Sequence, residues 1–333
     1  MNNRKPKLAM YWAASCGGCE ISLANIHEVI LELDEHFDFF FCPCLLDTKK
    51  ADIEALPDGA ISVTLFNGAL RTEENKEMAQ LLRRKSQLFI AFGSCAAGGG
   101  IPALANHHGT QHLMDTVFQN APCLDNPEGT TPQPVSRVAD GELHLPLLLP
   151  CVLSAKDAVK VDYTMPGCPP EPEQIVALIR HLAAALPLPS VESMPVCTER
   201  AVCDQCTREK KNLPAPCLQR PSVGVPEPGW CLLEQGYPCL GSATRAGCNA
   251  LCPAVNMHCT GCYGAIDLTS DPGAAALAAM AAVIRPAIAG QDEAAIHSNI
   301  TTAMNGLPDP LGSFYRYSLA NAVTAVCKRE ASQ

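Results

Sequence analysis

The chain has 333 residues, 17% of them charged and 47% hydrophobic, with a net charge of −10. Such a chain buries a sizeable core and divides into domains, which excludes a disordered tail-like protein. Its negative balance offers no attraction to nucleic acid or to an anionic membrane surface. No secretory pattern opens it, and the longest small apolar run stops at Arg285, too short for a bilayer, so a cytoplasmic protein is expected. In a reducing compartment its 19 cysteines are held by metal, buried or free rather than oxidised in pairs.

In chain order, Lys7 to Ser15 is an apolar strand broken by a CGGC loop. Glu20 to Leu33 follows as one helix, with Ile21, Leu23, Ile26, Val29, Ile30 and Leu33 at helical spacing. Further strands are expected at Phe37 to Cys42, Ile61 to Phe66 and Gln87 to Phe92. A helix runs from Thr72 to Lys85, Thr72 suiting the N-cap and Glu73 and Glu74 the first turn. Strands alternating with helices mean an α/β fold, a parallel sheet covered on both faces, whose ligands sit beyond the carboxyl ends of the strands. Residues 98–161 form a loop-rich insertion. Pro169 and Pro170 then open a helix, with Glu171 and Glu173 in its first turn, which puts Cys168 at a helix N-terminus. Three regions follow from the composition: 1–190, the parallel-sheet domain; 191–270, a cysteine-, proline- and glycine-rich metal domain; and 271–333, a C-terminal helical segment. Helices are expected from Pro272 to about Ala289 and from Ser313 to Lys328.

The cysteines fall into two sets. Cys16 and Cys19 follow the first strand, Cys95 in FGSC follows a later one, and Cys168 lies in PGCPP. Thiols converging from three loops at one sheet edge suit a [4Fe–4S] cluster, the alternatives being a thioredoxin-like redox pair or buried packing. The second set is Cys203, Cys206, Cys231, Cys239, Cys248, Cys252, Cys259 and Cys262, enough for two more clusters. A zinc-stabilised scaffold is the rival, but the two CxxC pairs lie much further apart than in a zinc ribbon, and Cys231, Cys239, Cys248 and Cys252 intervene. Spacing does not decide which thiols share a cluster. Cys197 and Cys217 are expected to be unliganded, as are Cys42, Cys44, Cys123, Cys151 and Cys327. His107, His108 and His112 are expected as solvated loop histidines, and His258 as a neighbour of Cys259 rather than a ligand. Glu20 is a first-turn charge and a candidate proton-path carboxylate.

The motifs CGGCE, GSC and PGCPPEP resemble those of the small subunit of nickel–iron hydrogenases. CDQCTREK, CLLEQGYPCLGSATRAGCNALCPAVNMHCTGCYG and GSFYRYSL look like the gamma subunit of the cytoplasmic methyl-viologen-reducing, deazaflavin-non-reducing hydrogenase associated with heterodisulfide reductase. The resemblance covers nearly the whole chain. It implies a flavodoxin-like first domain holding the cluster nearest the large subunit, and a ferredoxin-like domain with two [4Fe–4S] clusters. It also implies a nickel–iron site in that large subunit, and as further partners a small iron–sulfur delta-type subunit and the heterodisulfide reductase subunits. An iron–sulfur subunit of a non-hydrogenase redox complex is the alternative. The chain departs from the family at Gly241-Ser242-Ala243-Thr244-Arg245, where GPATR is expected, and at His258-Cys259-Thr260-Gly261-Cys262, where PCRGC is expected. Neither departure removes a thiol, but each alters the surroundings that set a cluster's potential.

Overall fold

The computed structural model of the chain describes residues 5–184, 199–215, 217–266, 271–288, 292–307 and 309–322. The chain forms two compact units: Met1–Pro195 with Ser318–Gln333, and Val196–Tyr317.

The first unit begins with β1 (Lys7–Trp12), α1 (Gly18–Ala24), α2 (Val29–His36), β2 (Asp38–Phe41), α3 (Lys50–Glu54), β3 (Ile61–Asn67), β4 (Leu70–Thr72), α4 (Glu73–Lys85) and β5 (Ser86–Phe92). It continues with α5 (Ser94–Gly98), α6 (Thr110–Asp115), β6 (Val135–Val138), β7 (Gly141–His144), β8 (Leu148–Leu153), β9 (Tyr163–Met165) and α7 (Pro172–Ala184). A five-stranded sheet has the order β2-β1-β3-β5-β9 with every neighbour parallel. Counted by its own strands this is the 2-1-3-4-5 order of flavodoxin-like folds. The central strands are continuous apolar runs because both faces are covered, and every residue of β3 is buried. Phe66, Phe89, Leu82 and Ile53 join the core on one face.

The α/β expectation holds, with local differences. The single helix expected over Glu20 to Leu33 is two, because His27 takes a left-handed φ of 54° between α1 and α2. The redirection buries Leu23, Ile26 and Leu33 and leaves Ile21 and Ile30 exposed. The 98–161 insertion contains a β6–β7 hairpin and β8, which pairs antiparallel with β4. Arg83 at the end of α4 donates to the carbonyls of Ser86 (2.6 Å) and Gln87 (3.0 Å) and pairs with Asp162 just before β9. Asp162 also accepts the Phe89 N–H at 2.8 Å, so one ion pair ties α4, β5 and β9 together. At the other end of the chain, Asn321 returns to this unit and donates to the Ala97 carbonyl of α5 at 3.1 Å.

The second unit contains α8 (Leu251–Ala254), α9 (Pro272–Ile288), α10 (Glu293–Met304) and α11 (Pro310–Phe314). Isolated bridges such as Ala201–Arg245 and Thr244–Ala265 tie its loops. Its apolar core joins Leu218, Leu240 and Ala243 from the cysteine-rich loops to Ala276, Met280 and Ile284 of α9. The expected helix from Ser313 to Lys328 is not continuous: α11 ends at Phe314, a 3₁₀ turn covers Leu319–Asn321, and residues 323–328 lie outside the described ones.

Candidate metal centres

Parallel strands end on one edge, and the thiols of the first set follow three of them: β1, β5 and β9. Backbone hydrogen bonds hold those loops to one another. Gly93 and Ser94 donate to the carbonyls of Met165 and Gly167 at 2.8 Å each, joining the Cys95 loop to the Cys168 loop. Ser22 of α1 donates to the Pro170 carbonyl, joining the CGGC loop to both. The sulfurs of Cys16, Cys19, Cys95 and Cys168 consequently lie within electrostatic reach of one another.

Burial, then the charges of Cys168 and Cys16, push Cys95 up to about 12. Cys19 rises through burial, then through Glu20 and the neighbouring thiols. Cys168 rises through burial first and Cys16 second. Soft donors that repel one another as anions match a cationic iron–sulfur core, whose charge makes thiolates favourable there. The glycines leave room for it. A Cβ on Gly93 (φ +85°) would lie 2.5 Å from Cys19 Sγ, and one on Gly100 (φ +54°) 2.5 Å from Cys95 Sγ. The helix expected to begin at Pro169 begins at Pro172, so Cys168 precedes it and burial dominates over any helix dipole.

Glu20, the proton-path candidate, sits in the first turn of α1, where its Oε1 accepts from the Asn67 amide at 2.6 Å. Asn67 also donates to Ser15 Oγ at 3.0 Å. Among the described residues, Glu20 Oε2 and Asn67 Oδ1 are buried without a hydrogen-bond partner. One carboxylate oxygen of Glu20 is thus left open beside the thiols. Asn67 was not singled out in the sequence; its one signal is a polar residue closing the apolar run of β3.

In the second unit, Cys203, Cys206, Cys231 and Cys239 line one cavity with Arg208 and Lys210. Burial, then Cys239, raise Cys203 to about 11, with Lys210 offsetting part of the rise. Cys259 rises through burial and then through Cys239, with Cys262 a smaller contributor. Cys206, Cys239 and Cys248 pack against a small core of Val202, Ala250 and Cys259, so both thiol groups share that core. Cys252 stands exposed in α8. The geometry thus groups Cys203 and Cys206 with Cys231 and Cys239, which spacing alone left open.

Cys42 and Cys151 are buried, Cys44, Cys123 and Cys217 are exposed, and Cys197 and Cys327 lie outside the described residues. His107, His108 and His112 contact one another, with ring centroids 4.5 and 4.4 Å apart. Burial, His112 and His107 hold His108 below its ordinary value. His258 is lowered by burial and by Arg316. Among the described residues no three His, Cys, Asp or Glu side chains are gathered for a single metal ion. No helix among them is long and apolar enough to cross a membrane.

Residues 16–182 match the family described as NADH ubiquinone oxidoreductase, 20 kDa subunit. Over 95% of this chain and 97% of the relative, 35% of residues are identical to the iron–sulfur subunit of the F420-non-reducing hydrogenase of Archaeoglobus profundus. The corresponding vhu subunit of the F420-non-reducing hydrogenase of Methanocaldococcus jannaschii is 36% identical over 92% of this chain and 96% of its own. A [NiFeSe]-hydrogenase chain of Dm. baculatum shares the fold, with a TM-score of 0.52 at 19% identity over 81% of this chain and 97% of that one. The sheet order, the thiols on its carboxyl edge and 35–36% identity along nearly the whole length of these relatives agree: the chain belongs to the 20 kDa-subunit oxidoreductase family and, within it, to the F420-non-reducing hydrogenase subunits of this type.

Proposed function

We propose that this chain is the electron-transfer small subunit of a cytoplasmic nickel–iron hydrogenase. It would carry electrons from dihydrogen oxidation in a large subunit to a heterodisulfide-reductase-type flavin and iron–sulfur partner, through a small delta-type subunit. The observation that carries this reading is the meeting of Cys16, Cys19, Cys95 and Cys168 on one sheet edge, in a chain related along its length to hydrogenase subunits. Those residues would hold one [4Fe–4S] cluster. Cys203, Cys206, Cys231 and Cys239 would hold a second, and Cys248, Cys252, Cys259 and Cys262 a third. When bound, such clusters supply one-electron donor and acceptor sites, and the nickel–iron site belongs to the large subunit. The chain's own part is to keep water from the buried Cys19, Cys95 and Cys259 sulfurs and to place the Glu20 carboxyl beside them as a candidate on the proton path.

The match to the 20 kDa subunit supports a second reading, an iron–sulfur subunit of a non-hydrogenase redox complex. That match ends at residue 182, before the second thiol set, whereas the hydrogenase relatives span both. Two measurements on the anaerobically purified complex separate the readings. At least about twelve irons and as many acid-labile sulfides per copy of this chain, the partner subunits adding their own, are expected together with hydrogen-dependent dye reduction. Zinc without sulfide removes the clusters from the proposal, and full clusters without hydrogen-dependent reduction favour the non-hydrogenase complex.

A further inference from the structure

Cys42 and Cys44 were expected to be unliganded thiols, and neither belongs to the groups above. They lie where β2 ends, on the sheet edge that also carries Cys16, Cys95 and Cys168. There the chain makes a tight turn: the N–H groups of Leu45 and Leu46 donate to the Cys42 carbonyl at 2.9 and 2.8 Å. Pro43 occupies the second position of this turn, for which its fixed φ is suited. In an extended segment, residues two apart stand well separated; in this turn the two sulfurs meet at 3.3 Å. A disulfide needs a further approach to about 2.05 Å. The pair is asymmetric in access. Cys42 is 1% exposed, and Cys44 faces solvent.

We propose that Cys42 and Cys44 form a redox-active dithiol that exchanges with a low-molecular-weight disulfide and closes into an intramolecular bridge. The Cys44 thiolate attacks one sulfur of R–S–S–R, forming a mixed disulfide and releasing RS⁻. The Cys42 thiolate then attacks the Cys44 sulfur and expels the second RS⁻. The dithiol loses two electrons, the disulfide gains them, and the two thiol protons end on the two RSH. Access fixes the order, because only Cys44 is open to a solvent-borne disulfide, and only Cys42 is placed to resolve the adduct. Burial, then the contact with Cys44, pushes Cys42 up to about 12, so it gives up its proton only as it attacks the Cys44 sulfur.

The test uses the intact, anaerobically purified complex equilibrated with 2-hydroxyethyl disulfide and 2-mercaptoethanol at graded ratios, then alkylated with iodoacetamide. Cleavage before aspartate releases Asp38 to Leu46, a peptide with Cys42 and Cys44 as its sole cysteines. At oxidising ratios this peptide is expected two hydrogens lighter and without either alkyl group, and at reducing ratios it carries both. Cys42→Ser is expected to trap the mixed disulfide on Cys44, and Cys44→Ser to lose all adducts, with iron content unchanged in both. Wild-type peptide alkylated at both sites at every ratio, or an adduct on Cys44 that never resolves, overturns the proposal. The wild-type result decides even if a variant fails to fold, and it is independent of whether the complex oxidises hydrogen.

Discussion

Gly93 has φ +85° and ψ 165°, a backbone region that is essentially glycine's own, and a Cβ there would meet Cys19 Sγ at 2.5 Å. Gly93→Ala therefore combines a strain of about 1–3 kcal/mol with a collision inside the thiol set. On the proposed assignment the variant is expected to lose the first cluster, the iron of the complex falling by about four per copy of this chain by chemical analysis. Glu171, just before α7, gives a pH-dependent case. Its carboxyl is raised above 4.5 by burial and then by Glu173. A carboxyl raised in the folded state adds stability below its unfolded value and loses it as pH rises through the folded one. Glu171→Gln should accordingly raise the unfolding midpoint at pH 7.5, with the gain shrinking as pH falls toward 5. An equal gain at both pH values contradicts the assignment. The placement of Cys16, Cys19 and Cys95 just after strands was legible because each follows directly on an apolar run. Asn67 was not, because its role depends on reaching Glu20 across the loop after β1.

The start of α4 shows what local sequence specifies well. Thr72 Oγ1 accepts the Asn75 N–H at 3.2 Å, and the Asn75 side chain accepts the Thr72 N–H at 3.2 Å. These satisfy donors that a helix start leaves open, and both partners lie within one turn. Thr72→Ala is expected to cost about 1 kcal/mol, read as a lower denaturant midpoint at unchanged slope. The strands β1, β2, β3 and β5 were legible for a related reason, since strands covered on both faces are apolar runs. The break between α1 and α2 was not, because the periodicity of Ile21 to Leu33 runs through it and the left-handed His27 carries no glycine signal. The start of α7 was displaced because Pro169, Pro170 and Pro172 all suit a first turn.

Across the molecule, the grouping of thiols has a direct consequence. Cys231 follows Cys206 by a long loop, yet both line one cavity with Cys203 and Cys239. On the same assignment Cys231→Ala should remove the proposed second cluster alone, iron again falling by about four per copy of this chain. Hydrogen-dependent reduction of a small dye should persist, while reduction of the protein acceptor drops by about tenfold or more. Cys217→Ala, at an exposed thiol outside the cavity, should leave iron content unchanged. A Cys231 variant that keeps all its iron contradicts the grouping. Residues Leu319–Asn321 belong to the first unit although the second lies before them in sequence, with Asn321 bonded beside the Cys95 helix.

By itself the sequence determined the parallel α/β class and nominated the thiols proposed to hold iron, because apolar runs, caps and soft donors are local properties. Tertiary structure decided which thiols meet, that Asn67 holds Glu20, and that Cys42 touches Cys44. Each of those depends on where loops distant in sequence, or a turn's precise backbone path, place atoms in space, and no spacing rule carries that information.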